Sequence, residues 1–258
     1  MVLHDEKEAR KTDRAYLTPD VTRQRMRTLE ALQLNAGEFV LDVGCGTGLL
    51  AHDMATLVGA SGRVAGVDIN QHRLMLAEQR CADLPQVQLK QSKAENLPEG
   101  VESFDAVSCV QVLLYLSDVP TALSEMYRVL KTGGRIVIIE TDWRGTVLNS
   151  FDDSLTRKIL TAWDDAVSSP NLPIRLGPLL KAQGFSAVSV EAFPIVNTSC
   201  TPGSWSIDML ELFAQHAREQ DAVSVDDSEA WLGDLQHKGA EGSYFFCVNR
   251  FVFTAVKS

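Results

Sequence analysis

The sequence lacks the features of a membrane protein, a secreted protein or a nucleic-acid-binding protein. No apolar run approaches the roughly 20 residues that cross a bilayer, and residues 1–14 are charged where a signal peptide would have an apolar centre. The 24 Lys and Arg are outnumbered by 34 Asp and Glu, which gives a formal net charge of −10 and disfavours binding to nucleic-acid phosphates or anionic lipid. We therefore expect a cytoplasmic protein with a small-molecule partner, no nucleic acid and no membrane span.

The sequence also lacks the spacing of a disulfide framework or a metal site. Its five cysteines are odd in number, widely scattered and contain no Cys-x-x-Cys pair. The five histidines form no His-x-x-x-His motif, and no cluster of carboxylates accompanies them. We therefore predict no bound metal.

What the sequence does contain is a βαβ pattern. Of its 258 residues, 45% are hydrophobic and 22% are charged, as in an ordinary folded domain. Over residues 38–140, short apolar runs alternate with helical periodicity, which predicts a parallel sheet with helices. The runs are 39–43, 63–68, 87–89, 104–110 and 135–140, and the clearest helical period, over 119–130, stops before Gly133-Gly134.

Beyond residue 140 the pattern becomes looser. It predicts a helix over 155–167, a proline-broken stretch over 168–178, a short helix over 179–183 and strands over 186–196 and 244–256. Residues 197–243 contain one helical pattern followed by an acidic piece around Asp226 and Asp227, and are too long for an ordinary connection. We interpret them as a lid insertion in a domain that spans 36–258. Residues 1–35, in which Thr18-Pro19 begins a helix, form a second helical cover.

The most informative segment joins a buried strand directly to a helix through Gly44, Gly46 and Gly48. Glycines at such a turn let the backbone approach a ligand closely. The segment is not the dinucleotide motif, because Leu49 stands where that motif has its third glycine, and no Gly-Lys-Ser/Thr follows. Asp42 lies where it would repel a pyrophosphate, and Asp68 ends the next strand, where an acid accepts ribose hydroxyls. The pattern favours a ligand with a ribose, a cationic part and no obligatory phosphate, as in S-adenosylmethionine.

Five segments together carry a family resemblance. They are 40–50, 66–68, 94–98, 104–107 and 128–135, and in this order and spacing they resemble a class I S-adenosylmethionine-dependent methyltransferase of the ubiquinone/menaquinone C-methyltransferase-like group. The resemblance covers roughly residues 14–141. It implies an α/β Rossmann-like fold with a seven-stranded, mostly parallel sheet, helices on both faces, an antiparallel last strand and helical lid segments.

The resemblance also implies roles for particular residues in binding S-adenosylmethionine. Gly44, Gly46 and Gly48 would line its methionine part, Asp42 would lie near its ammonium group, and Asp68 would accept the ribose hydroxyls. The remaining residues would contact adenine or close the pocket below the methyl group: Ile69, Ala94 and Glu95 at adenine, and Val110 and Gln111 below the methyl group. The family often has an acid immediately before the Ala-Glu pair, where this chain has Lys93.

The acceptor site is expected at the carboxyl ends of the strands, on the same edge as residues 44–48, here termed the glycine loop. Four residues near this edge could orient or deprotonate an acceptor: Tyr115, Asp142, His216 and Tyr244. Four more are expected to contact the substrate or form the lid: Tyr16, Leu114, Trp143 and Phe245. Tryptophans in the covering segments suggest a partly aromatic cavity for a quinone-like, lipid-like or secondary metabolite. In-line methyl transfer needs alignment and desolvation, and a base only for some acceptors.

Two alternatives retain the same cofactor site. In the first, S-adenosylmethionine is bound by a non-methylating enzyme such as a cyclase. In the second, the chain is a noncatalytic regulator that binds S-adenosylmethionine without consuming it. Asp42, Asp68 and the glycines favour cofactor binding in all three cases, and fold alone does not identify the chemistry.

Overall fold

The computed structural model describes residues 6–201 and 203–258. Its centre is a seven-stranded sheet with the strand order β3-β2-β1-β4-β5-β7-β6. All neighbouring strands pair in parallel except β7, which is antiparallel to both β5 and β6. The predicted sheet with an antiparallel last strand is therefore confirmed. The strands are β1 Phe39–Val43, β2 Arg63–Asp68, β3 Val87–Gln91, β4 Phe104–Val110, β5 Leu130–Leu148, β6 Phe185–Asn197 and β7 Phe246–Lys257.

Nine α-helices surround this sheet within the described residues. They are α1 Glu6–Tyr16, α2 Pro19–Leu32, α3 Leu49–Val58, α4 Gln71–Arg80, α5 Val119–Val129, α6 Asp153–Ala162, α7 Pro173–Ala182, α8 Trp205–Glu219 and α9 Val225–Glu241. Two short 3-10 helices cover Leu113–Tyr115 and Trp163–Ala166. None of the described helices is long and apolar enough to cross a membrane.

Strand alternation places hydrophobic cores on both faces of the sheet. Along β1, Leu41 and Val43 belong to the core that includes α5, whereas Val40 belongs to the core that includes α3. The buried stripe of α5 contains the periodic residues expected from the sequence: Val119, Ala122, Leu123, Met126 and Val129. Each face of the sheet is therefore covered by helices, as predicted.

Three local predictions are wrong. The predicted proline-broken stretch and short helix form one continuous helix, α7. Pro173 lies in its first turn, where a proline is tolerated, and the helix continues through Pro178 while Leu176 and Leu180 are buried. The acidic piece around Asp226 and Asp227 is the first turn of α9, a position where acids favour helix formation. Strand β5 is longer than residues 135–140, because it continues to pair with the long strand β7.

The two predicted covers are helical in the described residues. Residues 6–35 contain α1 and α2, and the part of 197–243 that is described contains α8 and α9. Residues 1–5 of the first cover and Pro202 of the second lie outside the described residues. Arg80 of α4 donates hydrogen bonds to Asp13 of α1 and to the Thr47 carbonyl, which ties the first cover to the glycine loop.

Candidate functional site

The glycine loop is held tightly between β1, β2 and the segment after β4. The amide nitrogens of Gly44 and Cys45 both donate to the Val67 carbonyl oxygen, at 2.7 and 2.9 Å. A Cβ atom added at Gly44 would lie 2.2 Å from Cγ2 of Val112, and the φ angle of Gly44 is +74°. Only glycine therefore fits at this position.

Asp68 connects the loop to the start of α4. Its Oδ2 atom accepts a hydrogen bond from the Gly46 amide at 2.9 Å, and its Oδ1 atom accepts one from the Asn70 amide at 2.8 Å. Asn70 in turn caps α4 by accepting from the Arg73 amide. A carboxylate oxygen accepts two hydrogen bonds, so each Asp68 oxygen retains capacity for a ligand hydroxyl.

Asp42 is a buried carboxyl group with one unpartnered oxygen. The residue is 2% exposed, Ser108 Oγ donates to its Oδ1 atom at 2.7 Å, and its Oδ2 atom has no hydrogen-bond partner. Burial raises the pKa of Asp42 to about 7, with a smaller contribution from the charge of Asp68, while the Ser108 hydrogen bond acts in the opposite direction. The group can therefore stabilise a nearby cation.

A cavity of about 620 Å³ opens above the glycine loop and extends toward α8 and β7. Nine of the ten predicted cofactor residues line it: Asp42, Gly44, Gly46, Asp68, Ile69, Ala94, Glu95, Val110 and Gln111. Gly48 does not line it. A Cβ atom added at Gly48 would lie 2.7 Å from Ala77 Cβ, so this glycine allows α3 to pack closely against α4.

Residues 41–138 match the family model described as a methyltransferase domain. Over these residues the chain is similar to methyltransferases. The matched residues contain the last three residues of β1, the strands β2 to β4, the glycine loop, Asp42 and Asp68. The family resemblance expected from the five sequence segments is therefore confirmed.

Relatives extend beyond the matched residues. The chain is 31% identical over 231 residues to an uncharacterized 37.1 kDa protein in transposon Tn4556 of Streptomyces fradiae, covering 88% of this chain and 65% of that protein. It is 40% identical over 119 residues to a demethylmenaquinone methyltransferase of Oceanobacillus iheyensis, covering 45% of this chain and 50% of that protein. The chain thus spans between half and two thirds of the length of these curated relatives.

A solved structure shows the same fold. Phosphoethanolamine N-methyltransferase 2 of Haemonchus contortus, in complex with phosphomonomethylethanolamine and S-adenosylhomocysteine, superimposes with a TM-score of 0.65 at 18% identity. The alignment covers 99% of this chain and 59% of that chain. At this identity the likeness establishes the fold of the methyltransferase domain.

Aromatic side chains form the wall of the cavity opposite the glycine loop. The rings of Trp143 and Trp205 stack at 6.1 Å with an interplanar angle of 19°, and Trp163 meets Trp143 edge to face at 5.8 Å. All three tryptophans line the cavity. Trp143 reaches it because β5 bulges between Asp142 and Val147, which turns the Trp143 amide away from the sheet to donate to the Pro170 carbonyl.

Of the four predicted catalytic residues, two line the cavity of the methyltransferase domain. Tyr115 is 53% exposed and lies in the cavity wall, where the surrounding protein raises its pKa to about 12, mainly by desolvation. His216 of α8 is buried, and its ring meets Trp163 edge to face at 5.5 Å. Its Nε2 atom has no hydrogen-bond partner among the described residues.

The other two predicted catalytic residues, Asp142 and Tyr244, lie outside the cavity lining. Asp142 accepts hydrogen bonds from the amides of Arg144 and Gly145 within the β5 bulge, and burial raises its pKa. Tyr244 is buried and donates to Ser206 Oγ at 2.9 Å; burial raises its pKa to about 12. Both residues therefore have structural contacts that explain their positions.

The predicted substrate and lid residues divide in the same way. Tyr16 and Trp143 line the cavity, and a Cβ atom at Gly46 would lie 3.5 Å from Cε2 of Tyr16, so this ring covers the glycine loop. Leu114 is fully buried in the core, because its short 3-10 helix turns it away from the cavity. Phe245 precedes β7 at the surface and does not line the cavity.

Sequence analysis missed Arg250, Gln24 and Arg73, which all line the cavity. Arg250 is buried on the same face of β7 as Phe246, Val248 and Val252. A charged residue in an otherwise apolar alternation is a signal that could have identified it, because burying a lone charge is costly. The described residues contain no group of three or more His, Cys, Asp or Glu side chains that could hold a metal ion.

Proposed function

We propose that this protein is an S-adenosylmethionine-dependent methyltransferase that transfers a methyl group to a small organic molecule. The observation that carries the proposal is the arrangement of Asp42, the glycine loop and Asp68 at one end of a cavity whose other end is aromatic. The matched methyltransferase domain and the demethylmenaquinone methyltransferase relative support it.

The residues present fit a cationic nucleoside. Asp42 has an unpartnered buried oxygen, which suits the ammonium group of the amino-acid part, and Asp68 has acceptor capacity for ribose hydroxyls. The absence of side chains at Gly44 and Gly46 lets the ligand approach the backbone. Ile69, Ala94 and Glu95 would contact the adenine, and Val110 and Gln111 would lie below the methyl group. When bound, S-adenosylmethionine supplies an electrophilic methyl group on a sulfonium.

The chain's own residues would act by binding, orienting and excluding water. Tyr16 would cover the bound cofactor, and the three cavity tryptophans would pack against the acceptor and desolvate it, which favours in-line displacement. Tyr115, whose raised pKa keeps the phenol protonated at neutral pH, would orient the acceptor through a hydrogen bond, and His216 would orient it or accept its proton. We further propose that residues 1–35 and 197–243 serve as lids over a domain that spans residues 36–258.

The experiment that tests this function is incubation of the protein with methyl-labelled S-adenosylmethionine and a panel of small metabolites. Labelled product together with stoichiometric S-adenosylhomocysteine supports the proposal, and Asp68→Ala should abolish both. Turnover of an acceptor without S-adenosylhomocysteine release would instead indicate a non-methylating enzyme such as a cyclase. Cofactor binding with no turnover across the panel would favour a noncatalytic regulator.

A further inference from the structure

Arg250 is a buried cation in the cavity wall. It is 4% exposed, its guanidinium carbon lies 4.7 Å from the ring centroid of Trp205, and its Nη1 atom donates to Gln24 Oε1. Its Nε atom has no hydrogen-bond partner. Among the described residues, the Gln24 contact is the only hydrogen bond of a group that has five N–H donors.

No carboxylate of the described residues forms an ion pair with Arg250. Neither of the two nearby acids neutralises it. Asp20 accepts hydrogen bonds from Arg23 at 3.2 Å and from Asn197 at 2.9 Å. Glu140 accepts from the amides of Val112 and Leu113 through Oε1 only, and its buried Oε2 atom has no partner. Burial raises the pKa of Glu140 to about 8, so this carboxyl group is mostly neutral at pH 7.

The charge of Arg250 nevertheless persists at neutral pH. Burial lowers its pKa to about 10, well above neutrality. A buried cation without a counter-ion is unfavourable for folding, so its place in a cavity wall indicates that a ligand supplies the missing anion.

Two phenol groups belong to the same part of the cavity. Tyr16 and Tyr115 both line it, and both interact electrostatically with Arg250. Neither hydroxyl has a hydrogen-bond partner within the described residues. Arg73, whose charge also acts on Tyr115, lines the cavity as well. The group formed by Arg250, Tyr16 and Tyr115, here termed the donor cluster, thus presents N–H and O–H donors that make no hydrogen bond to a carboxylate of the described residues.

The donor cluster continues directly into the aromatic wall. Trp205 contacts Arg250 on one side and stacks on Trp143 on the other, and Trp163 packs against Trp143. A ligand that reaches both would have an anionic end and an apolar body. Asp165, Asp208 and Glu219 also line the cavity, but none of them forms an ion pair with Arg250 or is among the main influences on its pKa.

We propose that the methyl acceptor is a small organic acid with an apolar body, whose carboxylate is bound by the donor cluster while its body packs against Trp143, Trp163 and Trp205. This inference rests on the proposed function. The cofactor's own carboxylate is the competing occupant, and the titration of S-adenosylhomocysteine described below distinguishes it from an acceptor carboxylate.

The test compares acids with neutral molecules of the same shape. Isothermal titration calorimetry in saturating S-adenosylhomocysteine would use 2-naphthoate against 2-naphthamide and cinnamate against cinnamamide. We expect wild type to bind each acid about 10-fold or more tightly than its amide, since hydrogen bonds to a charged group are the stronger ones. Arg250→Met should remove this preference, and Arg250→Lys should retain part of it.

Two controls separate this inference from folding effects and from the proposed function. Tyr115→Phe keeps the shape of the cavity and should weaken acid binding by several-fold and amide binding by less, because hydrogen bonds to charged groups are stronger, so the inference stays testable if Arg250→Met fails to fold. S-adenosylhomocysteine is also titrated alone, which tests the cofactor site independently. The Arg250 variants should bind it with wild-type affinity.

Three results would overturn the inference. The first is equal binding of acid and amide by wild type. The second is no binding of either acid. The third is a loss of S-adenosylhomocysteine affinity in Arg250→Met as large as its loss of acid affinity, which would assign the anion to the cofactor.

Discussion

The two ends of the cavity are built in different ways. The proposed cofactor end comes mainly from one continuous stretch, residues 39–70, in which backbone amides and two strand-end carboxyl groups define the surface, and later segments add Ala94, Glu95, Val110 and Gln111. The acceptor end is assembled from side chains on α2, the β5 bulge, α8 and β7, which are far apart in the chain. A site made by local backbone geometry can be recognised from the spacing of its residues in the sequence, whereas a site made by distant side chains has no such spacing.

The largest effect is expected at Gly44, where the backbone itself forms one end of the cavity. We expect Gly44→Ala to destabilise the fold by about 3 kcal/mol, because a left-handed backbone and a clash with Val112 both oppose the new Cβ atom, and to abolish detectable S-adenosylhomocysteine binding. Gly242→Ala is the matched control, since Gly242 has φ +74° and no atom within 4 Å of an added Cβ. It should cost about 1 kcal/mol and leave binding intact. Thermal melting and calorimetry measure both effects, and equal losses of binding would contradict the account.

The next largest effect is expected at Asp68. Asp68→Ala removes the acceptor of the Gly46 and Asn70 amides as well as the proposed ribose contact, so S-adenosylhomocysteine affinity should fall about 100-fold. Asp105 is a suitable control because it also accepts from a backbone amide, that of Phe39, but at the start of β1. Asp105→Ala should lower only the melting temperature. Retained affinity in Asp68→Ala, measured by calorimetry, would refute the ribose assignment.

A moderate effect of pH is expected at Asp42. Because its pKa in the folded protein is about 7, a cationic ligand must displace a proton below that pH. S-adenosylmethionine affinity should therefore rise by up to about tenfold per pH unit toward pH 7 and level off above it. Asp42→Asn should bind more weakly, with no such dependence, in calorimetry across pH 5.5–8. If the affinity of Asp42→Asn for S-adenosylmethionine rose with pH as steeply as that of wild type, a group other than Asp42 would be responsible for the pH dependence.

The stability of the fold should also depend on pH through Asp42. Between about pH 4 and 7 the folded protein without ligand binds more protons at Asp42 than the unfolded chain does, since burial raises the pKa. The stability contributed by this residue must therefore fall as pH rises through that window. As the pH rises from about 4 to 7, the melting temperature of wild type should therefore fall relative to that of Asp42→Asn.

The smallest effects distinguish two tyrosines. Tyr244→Phe loses one buried hydrogen bond to Ser206 and should cost about 1 kcal/mol, or 2–4 °C in melting temperature, with unchanged methyl transfer. Tyr115→Phe should leave the melting temperature unchanged but alter KM or kcat for the acceptor, because Tyr115 lines the cavity. The reverse outcome for either tyrosine would place the acceptor elsewhere.

Much of the fold could be predicted from the sequence, and nine of the ten residues predicted to bind the cofactor line one cavity. The period of α5, the strand runs of β1, β2 and β4 and the spacing of Asp42, Gly44 and Asp68 are all local signals. Gly48 does not line the cavity, because a glycine can be required by a neighbouring helix, here at Ala77.

The acceptor end could be predicted only in part, for physical reasons. Whether a side chain faces a cavity or the core depends on a bulge or a 3-10 turn, as Trp143 and Leu114 illustrate. Tyr244 and Asp142 lie outside the cavity lining, and each makes hydrogen bonds to its own neighbours. The position of Arg250 in the cavity wall could not be predicted, because it depends on packing against Gln24 and Trp205, which are both distant in sequence.

The central claim is that the cavity beside Asp42 accepts a positively charged nucleoside in preference to a phosphorylated one. Calorimetric titration of wild type with S-adenosylmethionine, and separately with ATP and NADH, tests it most directly. The account predicts saturable heat for S-adenosylmethionine, lost in Asp68→Ala, and none for the two phosphorylated nucleotides. Saturable binding of ATP or NADH together with no heat from S-adenosylmethionine would contradict it.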